Sequence, residues 1–309
     1  QYIILIDFFK KNIINIQLSI KLQSRSYKMN NCLTSDERLV IYALSIGALK
    51  LDQNSGIELK SGRMSPFFFN SGLFNTGESM LQLIKAYNSA VPNDIKFDGI
   101  FGPAYKGITL SAGLAMQMGT NVKFFFDRKE EKDHGEKGQI VGGDVDGLKL
   151  LLIDDVMTSG KSVIDAHKLV EKSGATVKAV TIAFDRQEVA SDGSMSMSAV
   201  QRYEEEYGIE VFSAANLQTL INLFDRVEEL ANPILQRAIL KYKSTYGVWK
   251  DTLQNKKALL IAELFYLFNF SKYSFQNSSH KSVIALLIHS HIISILSQST
   301  SWVDSFIYK

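Results

Sequence analysis

The sequence predicts an α/β fold with a mainly parallel central sheet flanked by helices. From Phe97 onward short apolar runs alternate with stretches of helical period, which is the pattern of βαβ units. The runs Leu148–Ile153 and Val177–Phe184 are almost continuously apolar, as strands covered on both faces should be. With 309 residues, 46% hydrophobic and 21% charged, the chain is globular by composition and long enough for one large domain or two modest ones.

The first regular element opens on TSDE, where Thr34 and Glu37 have capping-box spacing. The apolar positions Leu39, Val40, Ala43, Leu44 and Ile46 follow at helical period, and the helix ends near Gly47. In Leu59–Leu73, Gly62, Pro66 and Gly72 surround a run of three phenylalanines, which reads as short strands and turns. A second helix covers Ser79–Ala90. The alternation then runs through strand Phe97–Phe101, helix Ile108–Met118, strand Val122–Phe126, a charged loop, strand Leu148–Ile153, helix Ser162–Lys172 and strand Val177–Phe184. Helix Tyr203–Tyr207, strand Ile209–Ser213 and helix Asn216–Leu230 complete the unit, and the organised part ends near Trp249 after proline- and lysine-bearing sequence.

These boundaries divide the chain into an extension (1–28), one domain (29–249) and a tail (250–309). The extension holds Lys10, Lys11, Lys21, Arg25 and Lys28 against the single acid Asp7, a faint resemblance to an organelle-targeting segment. An over-extended or truncated gene model explains it more simply. The tail is apolar and aromatic-rich with breaks such as QNSSHKS, and reads either as extra helices or as read-through of non-coding sequence. Its histidines, His289 and His291, lack further ligands and are read as incidental.

A net charge of +2 implies neither a nucleic-acid partner nor a polybasic membrane patch. The longest apolar stretches, Ala258–Phe268 and Val283–Leu296, fall short of the ~20 residues of a membrane span. The lone Cys32 excludes an internal disulfide framework and suits a reducing compartment, so the expected location is cytoplasmic.

The chemistry concentrates in LLIDDVMTSGKS, Leu151–Ser162, where two acids end an apolar strand and a small, hydroxyl-rich loop opens the next helix. A helix N-terminus offers unpaired N–H groups and a positive dipole end, so Thr158, Ser159, Gly160, Lys161 and Ser162 suit a phosphate monoester. A nucleotide P-loop needs a glycine five residues before Gly160, and that position is Asp155, whose charge would repel a triphosphate. One acid could serve merely as a helix cap. Two acids beside a phosphate loop point instead to a sugar diol, or to a metal held through water. The stretch therefore reads a ribose 5-phosphate, placed where open α/β sheets bind ligands.

The run Asp154, Asp155, Val156, Met157 and Thr158–Ser162 resembles the phosphoribosyl pyrophosphate (PRPP) motif of the type I phosphoribosyltransferases. The resemblance implies that family's fold, with a small hood formed largely by the N-terminal segment. Three further stretches are similar to orotate phosphoribosyltransferases in particular. In ELKSGRMSPFFFNSGLFNTG, Lys60 matches a PRPP contact, and Phe68 and Phe69 match the lining of the orotate site. Taken alone, three phenylalanines are more often core and Lys60 more often solvated. In FGPAYKG, at another strand-to-helix turn, Tyr105 and Lys106 match the pyrophosphate contact. In DRKEEKDHGEKG, Asp127–Gly138, the match assigns Arg128, Lys129, Lys132 and His134 to a mobile catalytic loop that contacts PRPP and reaches into a neighbouring subunit, which implies a homodimer. Composition alone would make it a solvated surface loop. Finally, in DRQE, Arg186 matches an orotate contact, with Thr158 beside it; an ion pair with a nearby acid is the alternative for Arg186.

The implied activity is transfer of the phosphoribosyl group from PRPP to N1 of orotate in pyrimidine (UMP) biosynthesis, with Mg2+ carried in by PRPP. A PRPP-sensing regulator would need no charged lid, and a purine or uracil enzyme would lack the Phe68-Phe69 and KDHG signatures. No decarboxylase lysine-aspartate motif is recognisable in the tail, so the chain reads as monofunctional.

Overall fold

Parallel strands need helical crossovers, and the helices must then bury one face each against the sheet. The computed structural model, which describes residues 33–132, 138–190 and 197–248, has this arrangement. The central strands are β5 (Gly99–Gly102), β6 (Lys123–Lys132), β7 (Gly138–Val141), β8 (Lys149–Asp154), β9 (Thr176–Asp185) and β10 (Val211–Asn216), in the order β10-β9-β8-β5-β6-β7. All neighbours are parallel except the β6–β7 pair.

Alternation along β8 divides the core. Leu151 and Ile153 face one side, packed with residues of α1 (Ser35–Ser45), α2 (Gly77–Ala90) and α3 (Lys106–Met118). Leu150 and Leu152 face the other, with residues of α4 (Lys161–Lys172) and α5 (Ala199–Tyr207). Between β5 and β8 the chain order reverses, since β5 leads outward to β6 while β8 leads to β9 and β10 on the other side. The helices after β5 and β8 therefore leave toward opposite faces and open a crevice at the strands' carboxyl ends.

A hood of short strands precedes the sheet: β1 (Leu49–Leu51) pairs antiparallel with β4 (Phe67–Phe69), and β2 (Ile57–Glu58) with β3 (Met64–Ser65). The Thr34–Glu37 capping box is formed as the spacing predicts.

Three elements differ from the sequence reading. The strand expected to end at Phe126 continues to Lys132, because β7 gives its backbone antiparallel partners, Asp127 opposite Ile140 and Lys132 opposite Gly138. The helix expected over Asn216–Leu230 is a short α6 (Leu217–Asn222), capped by Asn216, followed by a 3-10 turn at Glu228–Leu230. Its irregular connection brings Leu223, Phe224 and Val227 into the core. Beyond it, the proline-bearing stretch forms helix α7 (Pro233–Tyr246), with the proline in the first turn, where a missing N–H costs nothing, and Asn232 capping Ile234 and Leu235. Among the described residues no helix is long and apolar enough to cross a membrane. The extension 1–28, Cys32, His134 and the tail 250–309 lie outside the described residues, as do the side chains of Lys129 and Lys132.

Candidate active site

Strand β8 delivers both acids to the crevice, and both are buried: Asp154 is 6% exposed and Asp155 7%. The main-chain N–H of Asp155 donates to Asp154 Oδ1 at 2.8 Å, and the Ser162 hydroxyl also bonds the Asp154 carboxylate. These bonds do not offset burial and the neighbouring Asp155 charge, which push the Asp154 pKa up to about 6. Beneath it, the fully buried Tyr87 donates its hydroxyl to the Asp154 carbonyl at 2.7 Å. Burial foremost, and then the two aspartates, hold that phenol well above its ordinary range, so it stays a donor.

Asp155 is held from two directions. Its Oδ2 accepts the Ser71 hydroxyl at 2.6 Å and the Lys106 ammonium at 2.5 Å. Its carbonyl accepts the N–H groups of Ala183 (2.9 Å) and Phe184 (3.2 Å), which ties the loop to β9.

After the acids, Val156 is half-buried and Met157 buried, anchoring the loop, while Thr158, Ser159, Lys161 and Ser162 are exposed at the start of α4. Gly160 caps that helix at φ 76°, a left-handed conformation that L side chains adopt only with strain. Lys161 turns its side chain away to Asp165, at 2.7 Å, and its backbone N–H donates to Ser159 Oγ at 3.4 Å.

Across the crevice, the turn from β5 into α3 depends on a pair of glycines. A Cβ on Gly102 would collide with the Gly107 carbonyl, and one on Gly107 would lie 2.6 Å from the Gly102 carbonyl carbon. The turn is pinned by Asp127, whose Oδ1 accepts the Ala104 N–H at 2.5 Å. Tyr105 stands 74% exposed at its tip, and Lys106 reaches from the first turn of α3 to Asp155. Asp127 and the half-buried Arg128 lie in β6, whose backbone continues through Lys129 to Lys132 and pairs with β7.

The hood brings two more candidates. Lys60 is exposed in the turn between β2 and β3. The phenylalanines do not act as a pair: Phe68 points outward, 36% exposed, while Phe69 is buried and stacked on Phe184 at 5.3 Å. Adjacent strand residues face opposite sides, so β4 can present only one ring to a ligand. Phe69 is placed as core.

Arg186, at the end of β9, is 6% exposed and bonded inward, to Glu188 (Nε to Oε1, 2.9 Å), Ser65 (3.1 Å) and the Phe67 carbonyl (3.4 Å). The ion pair weighed as its alternative is thus formed. The contact with Phe67 sets the arginine against the strand that carries Phe68. Three residues that hold the site were not singled out from sequence: Ser71, Tyr87 and Tyr242 are polar side chains whose partners lie far along the chain, whereas Glu188 pairs with Arg186 only two positions away. Among the described residues no group of three or more His, Cys, Asp or Glu side chains could hold a metal ion alone.

A buried carboxylate pair, an anion-ready helix start and an opposing lysine across a sheet's switch point suit a phosphorylated sugar. Residues 74–206 match the model for the phosphoribosyl transferase domain. The orotate phosphoribosyltransferase of Neisseria meningitidis serogroup C is 46% identical over 193 residues, 61% of this chain and 88% of the relative. That of Marinobacter nauticus is 40% identical over 216 residues, 69% of this chain and 98% of the relative. Among solved structures, Francisella tularensis orotate phosphoribosyltransferase superposes with a TM-score of 0.60 at 32% identity, covering 68% of this chain and 99% of that one. A Leishmania donovani UMP synthase shares the fold, with a TM-score of 0.55 at 19% identity over 69% of this chain and 43% of that one. The chain belongs to the orotate phosphoribosyltransferase family.

Proposed function

We propose that the crevice binds PRPP with its 5-phosphate on Thr158–Ser162 and its ribose hydroxyls on Asp154 and Asp155, and transfers the phosphoribosyl group to N1 of orotate. The observation that carries this reading is the placing of two buried carboxylates between the α4 N-terminus and Lys106. N1 forms its bond to C1 and gives up its proton to the departing diphosphate, which takes the electron pair of the broken C1–O bond. The product is orotidine 5'-monophosphate, a precursor of UMP.

As the bond breaks, C1 gains positive charge and the diphosphate negative charge, so catalysis rests on positioning and charge neutralisation. Lys106, Tyr105 and Lys60 serve the diphosphate side. Arg128, Lys129, Lys132 and His134 close over it and exclude water, which would hydrolyse the activated sugar. Phe68 and Arg186 face the base, with Thr158 at its edge. Asp154 and Asp155 are hard oxygen donors that would hold Mg2+ carried in with PRPP, since among the described residues no group of three or more such ligands stands together. When bound, it draws charge from the leaving diphosphate. The working form is a homodimer in which loop 127–138 of one copy completes the other's site, in the cytoplasm.

Pyrophosphate release from PRPP, measured with orotate, uracil and hypoxanthine offered separately, tests the assignment. Release with orotate is expected. Release only with hypoxanthine, or with none of the three, overturns it.

A further inference from the structure

Helix α7 meets Arg186 through one hydroxyl. The Tyr242 OH donates to Glu188 Oε2 at 2.6 Å and lies 3.4 Å from Arg186 Nη2, from which it accepts. Glu188 in turn grips the guanidinium side-on, Oε1 on Nε at 2.9 Å and Oε2 on Nη2 at 3.2 Å. Nη2 also reaches Ser65 Oγ at 3.1 Å, and the guanidinium lies over the Phe67 ring, 4.3 Å from its centroid. Tyr242 closes the cluster by packing edge-on against the same ring, at 5.7 Å and 84°. Burial foremost, and then the Glu188 charge, raise the Tyr242 pKa to about 12, so the phenol remains a proton donor at neutral pH.

The donors of Arg186 are therefore unequally committed. Nε and Nη2 are saturated by Glu188, Ser65 and Tyr242, whereas among the described residues Nη1 donates to the Phe67 carbonyl at 3.4 Å. A guanidinium has five N–H groups in a fixed plane, so pinning one edge orients the other. Glu188 also neutralises the arginine, which leaves Nη1 as an aimed hydrogen-bond donor rather than a free cation. A ring carbonyl of a pyrimidine is the acceptor such an edge suits.

We infer that Tyr242, acting with Glu188, is a positioning residue for base recognition: it fixes the guanidinium so that Nη1 meets the base, and makes α7 part of the base site without touching the substrate. The inference rests on the reading of Arg186 as a base contact.

Steady-state kinetics with each substrate varied separately tests it, with thermal midpoints measured alongside. Tyr242→Phe keeps the ring against Phe67 and removes the hydroxyl. The KM for orotate should rise about tenfold, as for one lost buried hydrogen bond, with the KM for PRPP changed less than about twofold. Glu188→Gln should move the same constant in the same direction. Equal changes in both KM values, or a lower midpoint with neither KM moved, would show a merely structural hydroxyl and overturn the inference. Arg186→Lys separates the two levels. If it raises the KM for orotate while Tyr242→Phe does not, the positioning role fails alone; if it leaves that KM unmoved, the base-contact reading fails and takes the inference with it.

Discussion

Lys106 Nζ lies 2.5 Å from Asp155 Oδ2, so the cation assigned to the diphosphate is held by a carboxylate assigned to the ribose. The Ser71 hydroxyl, 2.6 Å from the same oxygen, keeps Asp155 partnered when the lysine leaves. The crevice is in this way self-neutralised across the switch point, and in the proposed complex PRPP would supply a replacement for each member: phosphate oxygens for Lys106 and hydroxyls for Asp155. The lysine side chain is 55% exposed, whereas that of the aspartate is 10% exposed.

Lys106→Ala should therefore weaken PRPP far more than orotate. A rise in the KM for PRPP on the order of 10 to 10²-fold is expected from the loss of a charge-assisted phosphate contact. Initial rates with one substrate saturating and the other varied separate the two constants, and a larger rise for orotate would contradict the assignment.

Asp154 makes stability depend on pH in an unusual direction. Its folded-state pKa, about 6, lies above its ordinary 3.8, so the fold carries the cost of a buried charge above pH 6 and is relieved of it as pH falls toward 4. Two pKa units correspond to about 2 to 3 kcal/mol. Asp154→Asn should raise the thermal midpoint of the ligand-free protein at pH 8, and the gain should shrink on going to pH 5. Scans at both values check this, and a pH-independent difference would contradict it.

The two neighbouring phenylalanines should separate function from stability. Phe69→Ala removes a core ring stacked on Phe184 and should cost about 3 to 5 kcal/mol in urea unfolding. Phe68→Ala removes an outward ring and should leave the unfolding midpoint nearly unchanged while raising the KM for orotate.

Gly102→Ala places a Cβ against the Gly107 carbonyl, where no flexible side chain can yield. The turn that positions Lys106 must then open. Expected are a destabilisation of about 2 to 4 kcal/mol and loss of PRPP binding, read by denaturant unfolding and by calorimetric titration.

For the charged hairpin, Lys132→Ala should lower kcat on the order of 10² to 10³-fold with much less effect on PRPP binding, as removal of a contact made in the transition state does. Equal losses in turnover and affinity would place Lys132 in ground-state binding instead.

Apart from β7, the order of the main strands and helices from Thr34 to Asn216, the parallel sheet and the hydroxyl-rich loop at the start of α4 were legible in the chain itself. They depend on local signals: a capping box, apolar runs, and hydroxyls with a glycine at a helix start. The place of the acid pair, at the end of a strand and just before a helix start, was legible too, while its division by ligand group belongs to the proposed function. Helix α7 was not legible, because its apolar face is complete only against a core made by residues far away, and its proline and lysines masked the period. Strand β7 escaped for a related reason, since four residues pair only when β6 stands beside them.

What the sequence determined by itself is therefore the chemistry on offer, since residue type and local spacing fix which groups can meet a phosphate or a diol. Tertiary structure alone decided which of those groups face the crevice. The pleat sent Phe68 outward and Phe69 inward, and packing brought Tyr242 to Arg186 across 56 positions of chain and Ser71 to Asp155 across 84. Such partnerships carry no local signal, because a hydrogen bond depends on distance in space and is indifferent to distance along the chain.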